Sequence, residues 1–139
     1  MIARELEKQL IDAVEQYPVV FVTGPRQSGK STLLKYLFSD YQYVSLEDLD
    51  NREFARNDPR SFLATYNSKT IIDEAQHVPS LFAYIQTKVD SAGETGMYIL
   101  SGSQNFLLMQ SITQSLAGRV AVFKLLPFSH KELANAGIV

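Results

Sequence analysis

The sequence predicts a single α/β domain built on a mostly parallel sheet covered on both faces, and three observations carry that expectation. Short apolar runs alternate with longer amphipathic stretches along the chain, the rhythm of strand and helix in turn. The runs themselves, VVFV at 19–22 and YIL at 98–100, lack polar alternation, as expected of strands buried on both faces. A length of 139 residues with 45% apolar and 20% charged content fits one globular core that buries about two-thirds of its unfolded surface.

The elements follow in order. Ile2, Leu6, Leu10 and Val14 recur at helical spacing, which predicts an amphipathic helix over 1–17 packed by one face on the core. VVFVTG at 19–24 reads as a buried strand, and KSTLLKYLFS at 30–39 as a helix that begins inside a glycine turn. YQYVSLED at 41–48 is a second strand. The polar stretch 50–66 is helical, with Asp58 as an N-cap before Pro59 at a first helical position. KTIIDEAQ at 69–76 is a third strand ending in two acids. A helix over 79–93 has Pro79 at its start and Gly93 near its end. GMYILSGSQ at 96–104 is a fourth strand, 105–119 a helix, VAVFKLLP at 120–127 a fifth strand and 128–137 a short closing helix. No internal repeat or low-complexity linker interrupts them.

Composition narrows the function classes. A net charge of -2, with scattered basic residues, gives no electrostatic footprint for nucleic acid or an anionic membrane. The chain has no cysteine, so neither a disulfide framework nor a thiolate metal site is available. The charged N-terminal stretch is neither a signal peptide nor a membrane span, which makes a cytoplasmic location the default expectation. His77 and His130 lack partners at metal-ligand spacing and read as surface or capping residues. Tyr66, Phe82 and Tyr84 read as core or rim.

The glycine turn is the strongest signal. Gly24 to Ser31 reads G-P-R-Q-S-G-K-S, which fits G-x-x-x-x-G-K-[ST] between a strand and a helix, the context of a phosphate-binding loop. With glycine at about 7% of residues, chance produces this pattern in well under about one chain in a hundred of this size. A polyphosphate offers many anionic oxygens, and inward-facing backbone N–H groups meet them together where side chains leave room. The positive end of the following helix adds to the attraction. Gly24, Pro25, Arg26, Gln27, Ser28, Gly29, Lys30, Ser31 and Thr32 are therefore the candidate nucleotide-binding residues. Lys30 is expected on the terminal phosphates and the Ser31 hydroxyl on Mg²⁺.

Asp73 and Glu74 close an apolar strand. Taken alone such a pair is equally well a solvated strand end. Beside a phosphate loop, Asp73 is placed to hold the Mg²⁺ shell and Glu74 to act as general base on an attacking water. Ser101, Ser103 and Gln104 leave the fourth strand at the edge where ligands of parallel sheets bind, so one of them is a candidate γ-phosphate sensor or simply a polar turn residue. Arg119, alone after Gly118, reads most simply as a solvated charge at a helix end.

With both phosphate motifs present, the chain resembles AAA-type ATPases of bacteria and archaea in which an N-terminal ATPase core precedes a separate C-terminal domain. The likeness runs through VTGPRQSGKSTL, YVSLED, ARNDPRSFL, TIIDEAQHVPSLFAYIQ, ILSGSQNFLL and SLAGRVAVFKLLPFSHKEL. Arg26 and Gln27 inside the loop and Gln76 after the acids are characteristic of that family. The resemblance implies Mg-ATP binding and hydrolysis on a three-layer P-loop core with strand order 5-1-4-3-2. It gives Lys30 and Ser31 the Walker A roles and Asp73 and Glu74 the Walker B roles. Gln104 falls where such ATPases carry the sensor, and Arg119 where they present an arginine finger to a neighbouring subunit.

Relatives of this kind continue past PFSHKEL, and such ATPases usually close the site with a helical lid. The expectation is therefore that residues 1–139 hold the nucleotide core only and turn ATP over more slowly than a longer form. A homo-oligomer or another protein partner is expected. The absence of an Asn-Lys-x-Asp element favours ATP over GTP. Three other readings stay open: a nucleotide-gated switch with little turnover; a small-molecule kinase, against which the Asp-Glu pair argues; and a DNA-handling motor, only through segments outside these residues.

Overall fold

The computed structural model describes residues 2–24, 29–103 and 106–125, with side chains described from residue 5 onward and, after residue 105, from residue 108. Twelve regular elements follow one another: α1 (Ile2–Gln16), β1 (Val19–Thr23), α2 (Lys30–Leu37), β2 (Gln42–Ser45), α3 (Leu49–Asn57), α4 (Pro59–Thr65), β3 (Thr70–Asp73), a 3₁₀ turn (Ala75–His77), α5 (Leu81–Ala92), β4 (Tyr98–Gly102), α6 (Phe106–Leu116) and β5 (Val120–Lys124). The expected closing helix over 128–137 lies outside the described residues.

The five strands form one sheet in the order β2-β3-β4-β1-β5, every adjacent pair parallel. This is the order 5-1-4-3-2 expected from the sequence. Because side chains alternate along a strand, the register sorts the core into two layers. Val20, Val22, Ile71 and Ile99 face a cluster with Leu10, Leu33 and Leu34 of α1 and α2. Val19, Phe21, Val44, Ile72, Tyr98 and Leu100 face a larger cluster with Phe62, Leu81, Phe82, Ile85 and Ile112 from α4, α5 and α6.

Three expected elements come out differently; the second strand stops at Ser45 rather than Asp48, which caps α3 instead. The stretch 50–66 is two helices, because Asp58 ends α3 and opens α4: its backbone N–H bonds Phe54 O at 2.9 Å while its carboxylate accepts from the Ser61 N–H at 3.2 Å. Pro59 takes the first position of α4, where a missing N–H costs nothing. The third strand stops at Asp73 rather than running to Gln76, because Glu74 turns into the left-handed region at φ 56° and opens the 3₁₀ turn. A non-glycine residue held there is uncommon and points to local demands that outweigh backbone preference. Among the described residues no helix is long and apolar enough to cross a membrane.

Candidate nucleotide site

Parallel pairing brings the carboxyl ends of β1, β3 and β4 together, and Gly24, Gly29, Lys30, Ser31, Asp73 and Glu74 sit at that end. At the end of β1, Gly24 N–H donates to Gly102 O at 3.3 Å. The chain re-enters at Gly29, whose φ of 85° is one that L residues other than glycine rarely adopt. α2 then starts at Lys30, and its first turn, carrying Lys30, Ser31 and Thr32, points at the end of β3. Pro25, Arg26, Gln27 and Ser28 lie outside the described residues, as does Gln104.

Asp73 is the centre of the arrangement. It shares its sheet face with Ile71, so its carboxylate looks towards the α2 layer, where Ser31 Oγ donates to Oδ2 at 2.5 Å. Tyr43 lies on the same face one strand over and two residues earlier; its ring spans that offset and its hydroxyl also donates to Oδ2, at 2.5 Å. Ser101, on the other flanking strand, donates to Oδ1, and the Glu74 backbone N–H reaches the same oxygen at 3.0 Å. Burial pushes the Asp73 carboxyl up, but the bonds from Ser101, Ser31, Tyr43 and the Glu74 N–H together hold it below the ordinary carboxylate range. Burial, then the hydrogen bond and charge of Asp73, raise the Tyr43 phenol, so it remains a donor. Lys35 places its ammonium 4.0 Å from the centre of the Tyr43 ring, a cation–π contact that steadies the ring.

Beside this group, Lys30 Nζ lies 3.9 Å from Glu74 Oε1. Lys30, Asp73 and Glu74 are only 4%, 3% and 7% exposed, an unusual concentration of buried charge for one edge of a small domain. Glu74 is held from its other side by Gln76, whose Nε2 donates to Oε2 at 2.5 Å.

The donor set suits Mg²⁺. Ser31 Oγ and Asp73 Oδ2 are hard oxygen donors already in contact, one of them anionic, and Mg²⁺ sites characteristically use one or two protein oxygens and draw the rest from phosphate and water. No group of three or more His, Cys, Asp or Glu side chains able to hold a metal occurs among the described residues.

Ser101 departs from expectation. It lies inside β4 and is fully buried, with its hydroxyl donating to Asp73. Arg119 lies at the opposite edge of the sheet: its carbonyl accepts from Val19 N–H at the start of β1, 3.2 Å away. That sets Arg119, one residue before the Val120 paired with Val19, about 17 Å along the strand from the level of Thr23 at about 3.3 Å per residue. Its guanidinium grips Asp90 of α5 through Nε at 2.6 Å and Nη2 at 2.9 Å, while Nη1 holds Ala117 O at 2.9 Å. Tyr43 is the site residue that sequence reasoning missed. An aromatic residue in a strand signals only packing, and its part here depends on register with β3.

A parallel sheet of this order, a glycine turn opening α2 and an acid pair ending β3 together define an AAA-type P-loop ATPase core. The chain belongs to an AAA domain family, whose sequence model matches residues 16–134. Two uncharacterised proteins, one of Mycobacterium tuberculosis and one of Mycobacterium bovis, are each 30% identical to it over 135 residues, or 96% of this chain. The chain spans 30% of the length of those relatives. Among solved structures, a Walker-type ATPase of Pyrococcus abyssi superposes with a TM-score of 0.62 at 20% identity, covering 96% of this chain and 56% of that one. AMPPCP-bound DnaA of Aquifex aeolicus superposes with a TM-score of 0.57 at 16% identity, over 88% of this chain and 45% of that one. At such identities these likenesses speak for the fold.

Proposed function

We propose that the chain binds Mg-ATP at the carboxyl edge of its sheet and hydrolyses it. The observation that carries the reading is the contact of Ser31 with Asp73, with Lys30 and Glu74 adjoining. It joins the expected phosphate loop to the expected metal-holding acid and sets a candidate base against a candidate phosphate-binding cation. Membership of an AAA domain family supports it, and so does the nucleotide analogue carried by one fold relative.

In this reading the loop amides and Lys30 hold the β- and γ-phosphates, and Ser31 and Asp73 hold the cation. Mg²⁺, when bound, offsets charge that develops on the β,γ oxygens. Glu74 takes a proton from a water whose oxygen forms a bond to the γ-phosphorus in line. The bond from that phosphorus to the bridging oxygen breaks, its electron pair leaving with ADP, and the proton held by Glu74 passes to a product phosphate. Gln104 would sense the γ-phosphate. Arg119, at the far edge of its own sheet, would act only on a neighbouring subunit's nucleotide after releasing Asp90. A homo-oligomer and a cytoplasmic setting are parts of the same proposal.

Phosphate release measured with ATP and with GTP tests it. The expected result is turnover of ATP by the wild type and retained ATP binding without turnover in Glu74→Gln. Unchanged turnover in that variant would remove Glu74 from the mechanism. ATP bound but not cleaved by the wild type would favour the switch reading.

A further inference from the structure

Gln76 and Gly102 are joined in a way that neither the phosphate loop nor the acid pair requires. The left-handed turn at Glu74 and the 3₁₀ turn after it fold the chain back so that the Gln76 side chain reaches Glu74. Its Nε2 donates to Glu74 Oε2, the orientation that sets an amide donor against a carboxylate acceptor. The other end, Oε1, is then buried and has no hydrogen-bond partner among the described residues. Leaving a buried acceptor unpaired is costly, and such an atom calls for an explanation.

Gly102 supplies part of one. A Cβ on this residue would stand 2.5 Å from Gln76 Oε1 and 3.3 Å from a Leu108 methyl, so the amide lies in space that only glycine leaves open. Thr23, paired in register with Gly102, also carries a buried side-chain oxygen without a partner among the described residues, Oγ1. Residues paired in register on adjacent strands point to the same face. Thr23 Oγ1 and Gln76 Oε1 therefore both lie on the sheet face that Gly102 leaves bare.

We propose that Gln76 is a positioning residue for hydrolysis: Nε2 fixes the orientation of the Glu74 carboxylate, and the amide is itself seated in the space that Gly102 leaves open. This rests on the reading of Glu74 as the base. Gly102→Ala is the informative variant, because it displaces the far end of a flexible side chain without removing any polar group. In Gln76→Ala and in Gly102→Ala, kcat is expected to fall at least about tenfold with KM and the Kd for Mg-ATP unchanged, and the double variant should be no slower than the slower single one. The Gln76 side-chain amide resonance, assigned by its loss in Gln76→Ala, is expected to shift in both Gly102→Ala and Glu74→Gln. Gln76→Ala turning over within about twofold of the wild type while Glu74→Gln is inactive would overturn the proposal and leave the base intact. An amide resonance unmoved in Glu74→Gln would also overturn it. A wild type that binds Mg-ATP but releases no phosphate would take down the ATPase reading and this proposal together.

Discussion

The two ends of the sheet treat charge in opposite ways. At the amino end, Arg119 and Asp90 form a two-pronged ion pair with side chains 33% and 45% exposed, where water and salt screen them and little is gained or lost. At the carboxyl end, Lys30, Asp73 and Glu74 are withdrawn from water and wired to Ser31, Tyr43, Ser101 and Gln76. Removing charges from water costs several kcal/mol per ion before partners offset it, and stability alone would rarely select the arrangement. The contrast teaches that the carboxyl end concentrates buried, hydrogen-bonded charge of the kind a bound polyphosphate would account for, while the charge at the amino end is exposed and paired within the fold.

The strongest way to break the contrast is at Glu74. Glu74→Gln is expected to lower turnover by about 10²–10⁴, while Asp90→Asn leaves the turnover of the isolated chain unchanged; phosphate release by both proteins checks this. Tyr43→Phe should act next most strongly. It removes one donor from the buried Asp73 carboxylate and is expected to cost about 1–2 kcal/mol in urea unfolding, and to weaken Mg²⁺-dependent ATP binding. Wild-type stability with Phe at 43 would mean that the hydroxyl contributes nothing.

A smaller effect separates the ends by pH. The Asp73 carboxyl is depressed in the folded state, so its contribution is fully present above the unfolded carboxylate value of about 3.9 and is lost as pH falls through the lower folded value. Asp90, depressed by its hydrogen bond from Arg119, has the same sign. Thermal unfolding from pH 6 downwards should therefore show wild-type stability declining below about pH 4, with Asp73→Asn flattening the decline more than Asp90→Asn does. The smallest effect is expected from Arg119→Ala: unaltered unfolding of the isolated chain, with slower turnover only at concentrations where subunits associate. Equal turnover at every concentration would end the trans-arginine proposal.

Much of this was legible in the sequence because it is local. Apolar runs bounded by glycine and polar residues announce buried strands, and G-x-x-x-x-G-K-S needs eight consecutive residues and no tertiary knowledge. Asp73 and Glu74 follow from ending such a strand. What stayed hidden depends on register. Tyr43 meets Asp73 only because β2 pairs with β3 at Ser45 and Asp73, and Gln76 meets Gly102 only because the chain reverses after Glu74. The expected continuation of β3 to Gln76 missed that reversal, since nothing in DEAQ marks a glutamate for positive φ. Ser101 was visible as a polar residue at a strand end, but only the sheet shows that Asp73 claims its hydroxyl. The grip of Arg119 on Asp90, 29 residues away, leaves no pattern in the sequence.

The central claim is that the turn from 24 to 31 and the buried charges beside it form a triphosphate site. Titration calorimetry with Mg-ATP on the wild type and on Lys30→Ala tests it most directly. Saturable heat in the wild type, lost in Lys30→Ala, is the predicted result. No heat in the wild type, or equal binding by both proteins, would contradict it.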